Sequence, residues 1–437
     1  MRRLGWGRGY WLFAGATLAA LLTVGLMRPW VTLDTASWLA PCAGLRCLAG
    51  PRFPLYRWLF VALTLGGRAT GVLPWLQIGA FLGAGWKLAR EVRRAGGSST
   101  LAASVAFSFP ASNMLLIWGR AEIPEILARA AIVAALAATL RAASGSARAA
   151  ILAGAMAGIA CCLDPAELPF LALLPILAWW LGRRRARTLL LGFAAFGPVL
   201  LIAGLRLAVL GDFNIVSFGG YDMAGIAARM VSPEALPRLP AAQRPLAQAI
   251  MRRRRRLEAD GTVMKVPPNS TGARSLFSEE IGYFDILARF YDPLLSGAVA
   301  PLRGQGESWV AFNARLQRFD FAVILARPLL WLGWIAGALA RMTGRVLVFN
   351  LPFMIATILA LALGLWRPKP WLLAGDGRLL FALTAAYTVG SGALACLVAF
   401  PAQRYIDGAG LLLPAWPIYA ALRLSAPKRG SRPDSIG

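Results

Sequence analysis

Apolar residues fall in blocks along this chain, and arginine-rich stretches separate them. Several blocks approach the twenty or so residues that an α-helix needs to cross a bilayer core. The pattern predicts about ten spans, near Tyr10–Met27, Ala69–Trp86, Leu101–Trp118, Ile123–Leu140, Ala149–Leu163, Leu168–Leu181, Thr188–Leu210, Val346–Trp366, Leu379–Ala399 and Gly410–Leu424. The fifth, sixth and tenth are short. The predicted fold is an all-α integral membrane bundle.

Two long polar stretches interrupt the blocks, and both are expected on one side as an extracytoplasmic cap. The first is the loop Arg28 to Arg68, whose "YRWLFVALTLGG" reads as a helix lying in the interface. The second is an insert over 211–345 after the seventh span. It opens on the turn-rich "GDFNIVSFGGYD", and further in it carries helix-start signals at Ser232 and Ser278. "RPLLWLGWIAGALAR" reads as an interfacial helix, with Trp331 and Trp334 as anchors; read as a span, it makes eleven. Four regions follow: 1–210 with the first loop, the insert 211–345, the C-terminal spans 346–425 and a disordered tail 426–437.

Charge sets the orientation. "MRRLGWGR", "KLAREVRR", "RAASGSAR", "GRRRAR", "WRPKP" and "APKRGSR" fall on one side of the predicted bundle, and the positive-inside rule makes that side cytoplasmic. The net charge of +26 thus follows from membrane topology, and nucleic acid is not the expected partner. The mean hydropathy of +0.60 and 58% apolar composition agree. Arg252 to Arg256 form a run of five arginines that reads as a solvated stretch or as a contact for anionic headgroups.

No histidine is present, so any chemistry rests on carboxylates, arginines, hydroxyls or a recruited cation. Cys161, Cys162 and Cys396 lie in apolar blocks. Cys42 and Cys47, in the first loop, could pair in an oxidising compartment, a choice the spacing leaves open.

On the outer side the connections hold both signs of charge. Asp34 follows the first span; Arg52, Tyr56 and Arg57 stand in "RFPLYR"; Arg120, Glu122 and Glu125 in "GRAEIPE"; Asp164 and Glu167 in "LDPAELP"; Arg206 near the end of the seventh span; Arg404, Tyr405 and Asp407 in "QRYID". Charges at span ends are costly and point to function. Carboxylates can take a proton from an acceptor hydroxyl, and arginines can hold a departing phosphate through a bidentate fork.

The order of these features resembles the type C fold glycosyltransferases, the group containing protein mannosyltransferases and bacterial arabinosyl and aminoarabinosyl transferases. "DTASWL" at Asp34 stands where that group has an acidic first loop, and "RFPLY" at Arg52–Tyr56 where it has R-x-P-x-Y. "RAEIPE" opens the fourth span, "GDFNIVSFGG" the insert, and Arg404–Tyr405 precede the last span. The resemblance implies a membrane glycosyltransferase that moves a sugar from a polyprenyl-phosphate donor to a lipid, glycan or protein acceptor. It would act at the periplasmic face of a bacterial inner membrane. Asp34 maps to the catalytic carboxylate, Arg52, Tyr56 and Arg404 to the donor phosphate site, and Glu122, Glu125 and Asp164 to a second acid near it. No cofactor is implied with certainty. Relatives carry paired acids in the first loop, whereas this chain has Asp34 alone, which leaves a divalent metal open. Two alternatives stand beside the transferase: a non-catalytic relative that binds a lipid-linked sugar, and a transporter or flippase of an anionic lipid.

Overall fold

In hydrocarbon every backbone N–H and C=O needs a partner within its own segment, so apolar runs coil into helices. The computed structural model describes residues 7–26, 44–50, 52–65, 70–263, 291–349, 375–398 and 402–424, and its regular elements are helical throughout. In chain order they are α1 (Gly7–Leu26), α2 (Pro54–Leu63), α3 (Leu73–Arg94), α4 (Ser99–Ser108), α5 (Asn113–Trp118), α6 (Pro124–Ala143), α7 (Ala147–Leu163), α8 (Phe170–Gly182), α9 (Arg185–Leu210), α10 (Gly219–Met230), α11 (Arg244–Ala259), α12 (Trp309–Ala326), α13 (Pro328–Phe349), α14 (Asp376–Val398), α15 (Gln403–Ala409) and α16 (Ala415–Leu424).

The number of spans differs from the expectation. Among the described residues five helical segments are long and apolar enough to cross a membrane, or six if the bent pair α12–α13 counts as one; there are not ten. The five are Ser99–Trp118, Pro124–Ala143, Pro165–Gly182, Arg185–Leu210 and Asp376–Leu397. The shortfall has physical causes. α3 is long enough, but Gln77, Lys87, Arg90, Glu91, Arg93 and Arg94 dilute its apolar content. α7 is 17 residues long and α16 is 10. Most of Val346–Trp366 lies outside the described residues.

The insert also departs from its reading. "RPLLWLGWIAGALAR" belongs to α13, which leaves α12 at 101°, and the two together are apolar enough for a broken or re-entrant span. Trp334 is a core residue rather than an interface anchor, packing with Phe319, Ala338 and Met342. The helix start expected at Ser232 forms only a 3-10 turn, Leu236–Arg238. The start at Ser278 lies outside the described residues. The five arginines do lie on a helix, α11, and their roles divide. Arg254 donates to the carbonyls of Ala228, Arg229 and Val231 and so caps the end of α10.

Burial distinguishes the spans. In α6 78% of the apolar stretch is buried inside the protein, against 22% in α9. α6 is therefore the hub, and α9 presents Phe193, Leu200 and Leu201 outward, as a lipid-facing helix does. The main core joins α1, α3–α9, α14 and α16; a second joins α10–α13 with Cys396, Ile406 and Ala409. Small residues let α7 and α9 approach closely. A β-carbon at Gly154 would meet Ala194 Cβ at 2.7 Å, and one at Gly158 would meet Pro198 Cδ at 2.8 Å.

The helices sort the connections between two ends. At one end lie the C-termini of α3, α6 and α8 and the N-termini of α4, α7, α9 and α14. This basic end is tied together by Ser98 N–H donating to Asp376 Oδ1 at 2.9 Å. The other end gathers α2, the N-terminus of α6, the α7–α8 turn, the C-terminus of α9 and α15.

Candidate functional site

The second end is where the acid-bearing and arginine-bearing turns meet. Pro124 opens α6 at its first turn, where its fixed φ suits a helix and its missing N–H costs nothing. That places Glu125 in the first turn, next to the positive end of the helix dipole. The Asp164 carboxylate caps the 3-10 turn Pro165–Glu167 by accepting from Ala166 N–H at 3.0 Å. That turn aims Glu167 back into the bundle. α15 brings in Arg404, whose Nε lies 2.8 Å from Glu125 Oε1.

At the centre, Arg129 Nη1 of α6 stands 2.9 Å from Glu167 Oε1, and both side chains are wholly buried. The approach is off the in-line hydrogen-bond direction, so the pair is held by charge more than by a directed bond. Gly408 of α15 makes room for the guanidinium: a β-carbon there would lie 2.8 Å from Arg129 Cζ. Tyr56, Phe60, Leu73, Ala128 and Leu163 form an apolar floor next to the charges.

Further hydrogen bonds fix the surrounding elements. Gln77 of α3 donates through Nε2 to the Ile123 carbonyl at 2.9 Å and to Tyr56 Oη at 3.3 Å, fastening α2 and α3 to the entry of α6. Asp407 of α15 accepts from Trp118 Nε1 at 2.9 Å, from Gln403 Nε2 at 2.9 Å and from Asn113 Nδ2 at 3.4 Å.

Five of the expected site residues therefore come together: Tyr56, Glu122, Glu125, Asp164 and Arg404. Burial raises the Glu122 carboxyl above the usual range. Burial also raises Asp164, against the pull of Arg129, of the Ala166 amide and of Arg404. The Tyr56 phenol is pushed up by burial first and by the charge of Glu125 next. The Arg52 guanidinium lies 5.7 Å from the Phe218 ring centroid, and Phe218 in turn lies 5.5 Å from Tyr221. Asp34 and Cys42 lie outside the described residues. Cys47 is disulfide-bonded, and Cys161, Cys162 and Cys396 are free.

A second buried arginine locks the first loop to the insert. Arg206, near the end of α9, donates to the Leu48 carbonyl, to Ser217 Oγ and to Asp212 Oδ2, the last at 2.6 Å. Burial works against the Asp212 carboxylate, but hydrogen bonds from Ser217, Arg206 and Asn214 outweigh it and hold the carboxyl below its usual range.

Sequence reasoning passed over Arg129 and Gln77. Each is a polar side chain within a helix of apolar neighbours, and a lone arginine inside an apolar stretch is itself a signal. Among the described residues no three carboxylates or thiols come together as metal ligands, and Glu125 and Glu167 are each engaged by an arginine. Cavities open at the basic end, around Glu91, Arg141 and Asp376. The acid–arginine cluster remains the candidate site, because it gathers proton acceptors and phosphate-binding groups from four chain-distant segments. The chain matches no family model, no curated protein and no solved structure.

Proposed function

We propose that the protein is a membrane glycosyltransferase that takes its sugar from a lipid-linked phosphate donor. One observation carries the reading: Tyr56, Glu122, Glu125, Asp164 and Arg404 meet at the end of the bundle opposite the basic loops. By the positive-inside rule that end faces the periplasm of a bacterial inner membrane.

The chemistry follows from the residue types. Asp34 takes the proton from an acceptor hydroxyl as that oxygen forms its bond to the anomeric carbon. The bond from that carbon to the phosphate oxygen breaks with inversion, and the polyprenyl phosphate leaves as an anion. Arg404 keeps 24% of its side chain exposed while it is paired with Glu125, so a guanidinium already held in place meets the leaving group. Arg52, held over the Phe218 ring, supplies a second cation for the phosphate. Arg129 and Glu167 lie deeper and act as positioning residues.

The test uses full-length protein in nanodiscs with a radiolabelled polyprenyl-phosphate sugar and a membrane extract as acceptor. Transfer is expected from the wild type, and none from Asp34→Asn at equal expression and thermal stability. Label that is only bound, or only carried across a sealed vesicle membrane, sinks the transferase and points to a binding relative or a flippase. Full transfer by Asp34→Asn removes the mechanism.

A further inference from the structure

A cavity of about 610 Å³ opens at the basic end, between the C-terminal ends of α3, α6 and α8 and the start of α14. Its apolar wall includes Leu140, Trp180, Leu181 and Leu379, and its charges are Arg183, Arg378 and Asp376. The Asp376 carboxylate is already satisfied. Oδ2 accepts from Arg423 at 2.9 Å and from Tyr419 at 3.0 Å, and Oδ1 from the Ser98 amide at 2.9 Å. The two arginines thus face a cavity whose lining carboxylate, Asp376, is already engaged by Arg423.

Arg378 stacks on the cavity wall, its guanidinium 4.5 Å from the Trp180 ring centroid. Arg183 is the C-cap of α8 at φ 49° and ψ 25°, a left-handed conformation that glycine adopts freely and a branched side chain resists. A loop that only satisfies the positive-inside rule needs its arginines in water. Here one arginine occupies a strained position at a cavity and another lies flat on a tryptophan. Trp179 and Trp180 are 50% and 38% exposed at the same helix end, as aromatic residues at a membrane–water interface are.

We infer that this cavity binds the phosphodiester headgroup of an anionic membrane lipid, with Arg183 and Arg378 on the phosphate and the acyl chains along Trp180, Leu181 and Leu379. The apolar wall beside the arginines selects a lipid over a soluble phosphate. The anionic character of the cytoplasmic leaflet supplies such lipids at this end.

The experiment compares full-length protein in phosphatidylcholine nanodiscs with and without phosphatidylglycerol. It reads the unfolding temperature, together with lipid retention by native mass spectrometry. The wild type should retain phosphatidylglycerol and unfold at a higher temperature with it. Arg183→Gly relieves the left-handed strain, so in phosphatidylcholine it should unfold at or above the wild-type temperature. It should nevertheless retain phosphatidylglycerol about fivefold less well, the effect expected for one surface arginine. Arg378→Ala added to it should weaken retention further. Inorganic phosphate at the same concentration should produce no shift. Equal retention by the double variant and the wild type overturns the site, and a shift with inorganic phosphate equal to that with lipid overturns the lipid.

Discussion

Arg129 and Glu167 face each other 2.9 Å apart at the centre of the candidate site, and neither side chain reaches solvent. A buried pair of this kind is asymmetric in its energetics. Two charges together gain little over apolar residues of the same size, whereas one left alone is expensive. Arg129→Leu or Glu167→Leu alone should therefore cost about 3–5 kcal/mol, while the double variant should recover most of that loss. Thermal unfolding of the four proteins in one detergent forms the cycle. If the double variant is as unstable as the sum of the singles, the pair is not coupled.

Gly408 is the next test, because the space it leaves is occupied by Arg129. A methyl group there would lie 2.8 Å from both Cζ and Nε of the guanidinium, and a fully buried arginine has nowhere to swing. Gly408→Ala should displace Arg129 from Glu167 and destabilise the fold by about 1–3 kcal/mol, the usual cost of overfilling a core. Combined with Arg129→Leu, the alanine should cost less than it does alone. Additive losses in unfolding temperature would show that the methyl group clashes with something else.

How much of this was visible in the sequence follows from where charges sit relative to apolar runs. Glu125, Asp164 and Arg404 each border such a run, so the sequence alone puts their turns at one end. Arg129 could not be given a role in the same way, because an arginine inside "ARAAIV" looks identical whether it faces lipid, a cavity or a carboxylate two helices away. The span count failed for a related reason. Apolarity averaged over a window does not register that α3 starts at Leu73 and runs on through its charged end to Arg94, or that α12 and α13 bend at Arg327. The lock at Arg206 needed the first loop and the start of the insert to be seen together, and no local pattern joins Leu48 to Ser217.

The crossing of α7 and α9 depends on Gly154 and Gly158, which stand one turn apart on the same face of α7. Any side chain at either position meets α9, since a β-carbon at Gly158 would lie 2.8 Å from Pro198 Cδ and one at Gly154 would lie 2.7 Å from the Ala195 amide. In lipid no hydrophobic force draws helices together, so close backbone approach supplies much of the attraction. Gly158→Val should lower stability by about 1–3 kcal/mol, and Gly192→Val, where only Pro175 Cγ lies near at 3.8 Å, should cost far less. Matched unfolding curves for the two variants would refute the packing argument.

Arg206 gives a prediction with a pH signature. The Asp212 carboxyl lies below its usual range because Ser217, Arg206 and Asn214 donate to it, and together they exceed the cost of burial. A carboxyl whose folded value is depressed stabilises the protein above its unfolded value, near 3.9, and that contribution disappears as the pH falls through the folded value. Since Asp212 is partly open to solvent, the contribution is discounted to about 1 kcal/mol. Asp212→Asn should therefore unfold at a lower temperature than the wild type at pH 7, and the gap should close as the pH drops below about 4. Arg206→Leu should cost more, about 3 kcal/mol, because it leaves the Leu48 carbonyl and Ser217 without their donor and a carboxylate without its partner. It should also loosen the first loop, which limited proteolysis around 44–50 would detect. A temperature gap between wild type and Asp212→Asn that persists unchanged to pH 2 would mean that Asp212 acts through its shape and not through its charge.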